Sequence, residues 1–233
     1  MSKIQNIVLV HGFWADGSSY GEIIPALLQE GYNVIAVQNP LTSLADDVAA
    51  TKRVLARLEG PCILVGHSWG GFVITEAGND EQVAGLVYIA ALAPNTGETV
   101  VDILSQYEAA PASQYFQVQD GFIWLAQEGV QKAFANDLSA EQAALIYATQ
   151  TAPSTSLLQA TVDTPAWKRK PSWYIISNVD QTIPPDLQRD SAKRIGATAI
   201  ALDASHVSMI SHPEEVLKVI REAAVNSQRT PVL

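Results

Sequence analysis

The chain has 233 residues, of which 48% are hydrophobic and 16% are charged, and its formal net charge is −10. This composition is typical of a folded globular protein and excludes an intrinsically disordered one. The excess of acidic side chains makes nucleic acid and anionic membranes unfavourable partners.

Six short apolar runs, rich in valine and isoleucine, are spaced along the chain. Their residues barely alternate with polar ones, which is typical of parallel strands that helices cover on both faces. We therefore predict an α/β fold with a sheet of about six mostly parallel strands. In chain order the runs are Ile7–Val10, Asn33–Gln38, Cys62–Val65, Val83–Ala91, Ser172–Ser177 and Ala197–Leu202.

Amphipathic segments with recognisable ends separate these runs and are predicted to be helices that flank the sheet. Serine followed three residues later by glutamate predicts a capped start, proline favours the first helical turn, and glycine favours the stop. The predicted starts are Ser19-x-x-Glu22, Ser43, Pro184-Pro185 and Ser211-x-x-Glu214, and the predicted stops include Gly31, Gly60 and Gly196.

The alternation of strand and helix stops between about Pro94 and Trp167. This segment contains no convincing buried strand and is rich in alanine, glutamine and aromatic residues. Ser139, with Glu141 and Gln142 in the next turn, predicts a capped helix that runs to about Gln150. We expect residues 94–165 to form a small, mostly helical cap, and residues 1–93 and 166–233 to form the core.

The sequence Val65-Gly66-His67-Ser68-Trp69-Gly70-Gly71 follows the third run. A strand that turns sharply into a helix at this point would hold Ser68 in a strained conformation with its hydroxyl exposed at the sheet edge. Gly66 and Gly70 would remove side chains that collide across the turn. We predict that Ser68 is a nucleophile.

A serine nucleophile needs a base, and the base needs an acid that orients it. Among the four histidines, His206 lies just past the last predicted strand. This is the carboxyl end of the strands, where parallel sheets place their ligand-binding and catalytic sites. Asp180 lies three residues past the fifth strand. It is the preferred acid, with a turn-capping role as the alternative reading and Asp203 as the rival.

The predicted oxyanion hole consists of two backbone N–H groups. The N–H of Trp69 follows the nucleophile, and the N–H of Phe13 follows Gly12 in the loop after the first strand. Three aromatic residues are candidates for binding substrate, although each is equally compatible with packing between cap and core. They are Trp14, Phe72 and Trp124.

These motifs resemble the α/β-hydrolase superfamily, and within it bacterial esterases related to pyrethroid hydrolases and plant methyl-salicylate esterases. The resemblance rests on VLVHG followed by the aromatic Tyr20, on VGHSWGG, and on the spacing of Asp180 to Ser205-His206-x-x-Met209. It covers essentially the whole chain and implies an α/β-hydrolase fold with a helical cap.

Two related chemistries fit the sequence poorly. Hydroxynitrile lyases that resemble this group carry threonine after the first-strand histidine and lysine after the catalytic histidine, where this chain has Gly12 and Val207. Haloalkane dehalogenases and epoxide hydrolases of the same fold use an aspartate nucleophile, where this chain has Ser68. The expected activity is therefore hydrolysis of a small to medium apolar carboxylic ester through an acyl-enzyme.

Several alternatives and expectations accompany this prediction. The same serine chemistry could act on a lactone, an amide, a thioester or a carbon–carbon bond, or the chain could bind a ligand with vestigial activity. No metal or organic cofactor is expected, because the chain has no HExxH, CxxC or nucleotide-binding glycine pattern. We expect a small-molecule ester as partner, no nucleic acid or membrane, and a monomer or a homodimer.

The chain is expected to be cytoplasmic. The stretch MSKIQNIVLVHG is too short and polar for a signal peptide, and no run approaches the roughly 18 apolar residues of a membrane-spanning helix. The only cysteine, Cys62, lies in an apolar run, so no intramolecular disulfide can form and a buried structural thiol is expected.

Overall fold

The structure is a computed structural model that describes residues 4–227, so both outer ends of the predicted core segments extend beyond the described residues. Eight strands occur in this range. They are β1 (Asn6–Val10), β2 (Asn33–Val37), β3 (Cys62–His67), β4 (Val83–Ile89), β5 (Phe116–Gln119), β6 (Phe122–Leu125), β7 (Ser172–Ser177) and β8 (Thr198–Leu202).

Six of the strands form a parallel sheet in the order β2-β1-β3-β4-β7-β8, and β5 pairs with β6 in an antiparallel hairpin. Nine α-helices lie within residues 4–227: α1 (Ile24–Gln29), α2 (Leu44–Leu55), α3 (Gly70–Ala77), α4 (Val100–Leu104), α5 (Gln127–Gly129), α6 (Ala140–Thr149), α7 (Pro185–Arg194), α8 (Ser208–Ser211) and α9 (Pro213–Asn226). A π-helix occupies Val130–Phe134, and 3₁₀ turns occupy 17–20, 111–115, 155–159 and 166–168.

The main sheet confirms all six predicted strands. Every residue of β1, β3 and β7 is buried, as expected for strands covered on both faces. The expectation of burial is wrong for β2 and β8, whose residues are mostly half-buried or exposed. Both strands lie at the edges of the sheet, where an apolar strand is not necessarily covered by helices on both faces.

Two of the predicted helix starts are confirmed by cap hydrogen bonds. Ser43 accepts a hydrogen bond from the N–H of Asp46 at the start of α2, and Ser139 forms a capping box with Gln142 at the start of α6. The capping boxes predicted at Ser19 and Ser211 are wrong. Helix α1 begins after a 3₁₀ turn, and α9 begins at Pro213, and neither has a side-chain cap.

The segment between β4 and β7 differs from the mostly helical prediction. It contains α4 and α6, but also the hairpin of β5 and β6. Asp120 and Gly121 join the two strands with φ of +50° and +80°, as a two-residue turn between antiparallel strands requires. The division of the chain into core and cap at residues 94 and 165 stays a prediction.

The strand order brings the loops with the predicted site residues together. The chain moves from β1 outwards to β2 and then returns to the other side of β1 to form β3, so the ends of β1 and β3 flank a switch point. Val10 at the end of β1 pairs with Gly66 near the end of β3. Ser177 pairs with Leu202 in the same way, which brings the loops of Asp180 and His206 side by side.

Candidate active site

The turn between β3 and α3 has the predicted strain. Ser68 has a φ of +55°, in the left-handed region that a residue with a side chain seldom adopts. A Cβ on Gly66 would lie 2.6 Å from the carbonyl oxygen of Gly70, which explains the first glycine. A Cβ on Gly70 would collide with the carbonyl oxygen of Val10, so the second glycine is also required by the contact with β1.

Three backbone hydrogen bonds hold Ser68 in this conformation. Its N–H donates to the carbonyl of Ile89 at 3.1 Å, and its carbonyl accepts from Gly71 at 3.0 Å and Leu92 at 3.2 Å. The ends of β4 and α3 therefore fix the backbone that carries the hydroxyl. Such over-determination is what keeps a strained residue in place.

Asp180 and His206 form a buried pair. His206 Nδ1 lies 2.7 Å from Asp180 Oδ2, and both side chains are buried. Because the carboxylate accepts, the imidazole proton lies on Nδ1, and Nε2 carries the free lone pair. Nε2 is buried and has no hydrogen-bond partner within residues 4–227. The imidazole can therefore act as a base toward a group that enters next to it.

The rival acid Asp203 is exposed and accepts a hydrogen bond from Asn178 at 2.9 Å. It does not contact the imidazole of His206. Asp180 also has the turn-capping role that was the alternative prediction, because its Oδ1 accepts hydrogen bonds from the N–H groups of Thr182 at 2.7 Å and Ile183 at 3.0 Å. One carboxylate thus both closes the turn after β7 and orients His206.

Gln188 on α7 is a site residue that the sequence did not indicate. Its Nε2 donates to Asp180 Oδ2 at 2.8 Å and to the carbonyl of Ile183 at 2.9 Å. Its Oε1 accepts the N–H of Ser177 at 2.9 Å, which fixes the orientation of the amide. The side chain is fully buried, so it holds Asp180 against the end of β7.

Two neighbours fix the loop of His206. His67 Nε2 donates to the carbonyl of His206 at 2.8 Å, and the two rings lie 4.6 Å apart. Burial lowers the pKa of His67 well below its usual value, with the neighbouring His206 as a second cause, so His67 is neutral. Asp137 Oδ2 accepts the N–H of Ser205 at 2.8 Å. Through its contact with His67, His206 lies next to the residue that precedes Ser68.

The predicted oxyanion donors Phe13 and Trp69 lie together. Their rings stack with centroids 5.2 Å apart, and within residues 4–227 neither backbone N–H has a hydrogen-bond acceptor. A Cβ on Gly12 would lie 2.6 Å from Ser68 Cβ and 3.0 Å from the Trp69 nitrogen. The glycine is required because the loop approaches the nucleophile this closely.

His11 fixes the direction of one of these donors. Its Nδ1 donates to the carbonyl of Gly12 at 2.9 Å, and its Nε2 accepts the N–H of Asn39 at 2.9 Å. Burial lowers the pKa of His11, which favours this neutral form. The Gly12 carbonyl and the Phe13 N–H belong to one planar peptide, so the bond to the carbonyl also orients the N–H.

The three aromatic residues predicted to bind substrate lie in different places. Trp14 is 4% exposed, and its Nε1 donates to the carbonyl of Ile123 in β6 at 2.8 Å, so it joins the loop after β1 to the hairpin. Phe72 is fully buried, and its ring stacks on Trp69 at 4.8 Å. Trp124 is 43% exposed on the face of β6 opposite the buried Ile123, so it is not a wall of this site.

The site is closed. Ser68 is 5% exposed, and the ring of Phe134, in the π-helix, lies edge-on 5.0 Å from the buried ring of His206. Phe134 is therefore the ring that covers His206, and it lies in a π-helix, a rare element that is often found at functional sites.

Residues 4–227 contain no group of three or more histidine, cysteine, aspartate or glutamate side chains arranged to hold a metal ion. No helix in this part of the chain is both long enough and apolar enough to cross a membrane.

Sequence comparison relates this chain to known enzymes. Residues 7–219 match the model of the alpha/beta hydrolase family. A pyrethroid hydrolase of Sphingobium wenxiniae is 29% identical over 252 residues, which cover 95% of this chain and 88% of that protein. A carbendazim hydrolyzing esterase of a Nocardioides species is 30% identical over 131 residues, which cover 50% of this chain and 53% of that protein.

Solved structures agree with the described architecture. A pyrethroid hydrolase from Sphingobium faniae superimposes with a TM-score of 0.80 at 23% identity, over 97% of this chain and all of the other. Polyneuridine aldehyde esterase gives a TM-score of 0.81 at 20% identity, over 94% of this chain and 99% of the other. These likenesses confirm the predicted α/β-hydrolase fold and the resemblance to this group of enzymes.

Proposed function

Because this chain belongs to the α/β-hydrolase family, we propose that it is a serine hydrolase of small to medium apolar carboxylic esters. One observation carries the proposal. The buried pair of Asp180 and His206 leaves Nε2 without a partner, and the ring of His206 lies 4.6 Å from that of His67, the residue before the strained Ser68. The pyrethroid hydrolase and esterase relatives support ester cleavage as the reaction class.

In the first half of the proposed reaction, Ser68 Oγ attacks the ester carbonyl carbon and His206 Nε2 accepts the hydroxyl proton. The N–H groups of Phe13 and Trp69 donate to the oxyanion of the tetrahedral intermediate. When that intermediate collapses, the bond between the acyl carbon and the alkoxy oxygen breaks. His206 returns its proton to the leaving alcohol, and the acyl group stays on Ser68.

In the second half, water enters the space that the alcohol has left. His206 Nε2 accepts a proton from the water as it attacks the acyl carbon, and then gives that proton to Ser68 Oγ as the acid departs. Asp180 accepts the hydrogen bond from His206 Nδ1 throughout and stabilises the imidazolium form of His206. Its four hydrogen-bond donors satisfy both carboxylate oxygens, which suits this role.

An apolar substrate suits the groups around the two reacting side chains. The rings of Phe13 and Trp69 lie next to the oxyanion donors, and Phe134 lies against His206. Trp14 joins this set through contacts with Phe13 and Phe134 at 5.9 and 6.0 Å. Aromatic and aliphatic acyl or alcohol groups gain from burial against such a wall.

Replacing Ser68 by alanine tests the proposal. The wild-type protein is assayed with p-nitrophenyl and methyl esters of increasing acyl length, and S68A is expected to lose all turnover above the uncatalysed rate. The matched control is Ser113→Ala, since Ser113 is exposed and its side chain has no hydrogen-bond partner within residues 4–227. Hydrolysis by S68A at the wild-type rate would refute the assignment.

A further inference from the structure

A second buried carboxylate, Asp47, lies beside the oxyanion donors and takes no part in the pair of Asp180 and His206. It lies in the first turn of α2 and is fully buried. Its Oδ2 accepts the indole N–H of Trp69 at 2.8 Å, and its Oδ1 accepts the backbone N–H of Leu41 at 2.8 Å. Burial of a carboxylate is costly, and it raises the pKa of Asp47 to about 6.

The hydrogen bond from Trp69 restrains the indole in a direction that stacking does not. The rings of Phe13 and Phe72 lie nearly parallel to the indole, at 5.2 Å and 23° and at 4.8 Å and 15°. Stacked neighbours limit movement along the ring normal but allow sliding within the plane. The indole N–H lies in that plane, so its bond to Asp47 opposes the sliding.

Asp47 is itself held at its other oxygen. Leu41 has a φ of +56°, and its carbonyl accepts the N–H of Ser154 at 2.8 Å. The carboxylate therefore connects Trp69 to the chain between β2 and α2, and through Leu41 to the segment after α6. The anchor is built into two parts of the fold and does not depend on the stacked rings.

We propose that Asp47 is a positioning residue for the oxyanion hole, acting through the indole of Trp69. The inference rests on the proposed function, because it assigns the Trp69 backbone N–H to the oxyanion. With the indole fixed, the backbone of Trp69 and the stacked Phe13 keep their two N–H groups aimed at one point. Without the anchor the donors lose their alignment, while the surfaces that bind the ester remain.

Two variants act on this bond from opposite ends. Asp47→Asn keeps the shape but turns an amide N–H toward one of the two donors, and Trp69→Phe removes the indole N–H but keeps an aromatic ring and the backbone N–H. Each is expected to lower kcat for p-nitrophenyl butyrate roughly 10- to 100-fold, with KM changed less than about 2-fold. Asp46→Asn is the control, because Asp46 is the exposed neighbour in the same helical turn.

A readout that does not need turnover accompanies the kinetics. In ¹⁵N-labelled protein, D47N should shift the Trp69 indole N–H signal, which W69F identifies by its loss, and should speed amide exchange at Phe13 and Trp69. If the wild type cleaves no ester, the proposed function fails, and the exchange rates alone decide the positioning role. The inference is overturned if the indole signal reports a broken bond while kcat and amide exchange keep their wild-type values. If D47N does not fold, or if its amide oxygen keeps the indole bond, W69F decides, because kcat and Phe13 amide exchange at their wild-type values in W69F also overturn the inference.

Discussion

Ser68 lies between two buried carboxylates that are held in different ways. On the histidine side, Asp180 accepts hydrogen bonds from four donors: two backbone N–H groups, Gln188 and His206. On the oxyanion side, Asp47 accepts from two donors, and burial raises its pKa to about 6. A buried carboxylate with four donors, such as Asp180, is suited to stabilising a neighbouring imidazolium. A buried carboxylate with two donors, such as Asp47, lowers the stability of the fold when it is charged.

The largest expected effect comes from the histidine side. In Asp180→Asn the amide can present an N–H to His206 Nδ1, which moves the imidazole proton to Nε2 and removes the base. We expect kcat to fall about 10³–10⁴-fold, as for the equivalent change in the serine-protease triad. Steady-state hydrolysis of p-nitrophenyl butyrate measures it.

Asp203→Asn is the control for this prediction, because Asp203 is the exposed carboxylate on the His206 loop. It should keep kcat within about 2-fold of wild type, since Asp203 does not contact the imidazole. A greater loss in D203N than in D180N would transfer the role of the acid to Asp203.

The pH dependence of stability tests the oxyanion side. Burial raises the pKa of Asp47 from 3.8 to about 6, so between these values the native state holds the proton more tightly than the unfolded state. The free energy of unfolding therefore falls as pH rises through this range, by about 3 kcal/mol from this one group. Asparagine does not titrate, so the stability of D47N relative to wild type should increase by most of that amount between pH 4 and pH 7.

Urea denaturation at pH 4, 5, 6 and 7 measures this difference. Asp46→Asn serves as the control. Hydrogen bonds from Ser43 and Thr42 lower the pKa of Asp46, so the stability of D46N relative to wild type should not rise over the same pH range. A constant difference between D47N and wild type across the four pH values would contradict the account of Asp47.

Gln188 separates the support of Asp180 from its charge. Gln188→Met removes one of the four donors to Asp180 and leaves the N–H of Ser177 unpartnered. We expect a roughly 10-fold loss of kcat and a decrease of about 1–3 kcal/mol in the free energy of unfolding. Gln181→Met is the matched change on the preceding loop, where the side chain has no hydrogen-bond partner within residues 4–227, and it should leave both quantities near wild type. Equal effects of the two substitutions on kcat and stability would refute a role of Gln188 in supporting Asp180.

The smallest effect is expected at the ring that closes the site. Phe134→Leu reduces the side chain packed against His206, so esters with longer acyl chains should gain roughly 3- to 10-fold in kcat/KM relative to acetate. Phe116→Leu removes similar volume beside Trp14, where the ring centroids lie 4.9 Å apart, and should not change the preference. The ratio of kcat/KM for octanoate and acetate esters measures the effect. An unchanged ratio in F134L would show that Phe134 does not determine the acyl-chain preference.

The sequence predicted the parts of the fold that local patterns determine. All six strands of the sheet appear where apolar runs predict them, and the strained turn of Ser68 appears where glycines predict it. The hairpin of β5 and β6 was missed, although Asp120-Gly121 between apolar residues is a strong signal for a two-residue turn. The capping box at Ser19 failed because Asp16 caps that turn instead.

The supporting residues of the site could not be predicted in the same way. Asp47 and Trp69 are 22 positions apart, and Gln188 reaches Asp180 only because α7 packs beside β7. No spacing rule connects such pairs, since the contact depends on how helices settle on the sheet. Burial of a polar side chain becomes informative only when the fold shows which donors face it.

Whether Ser68 is an activated nucleophile is tested by reaction of the purified protein with a fluorophosphonate probe, followed by peptide mass mapping. We expect one label on Ser68 in the wild type and none in His206→Ala. A folded wild-type protein that takes no label, or takes it on another serine, would refute the role of Ser68.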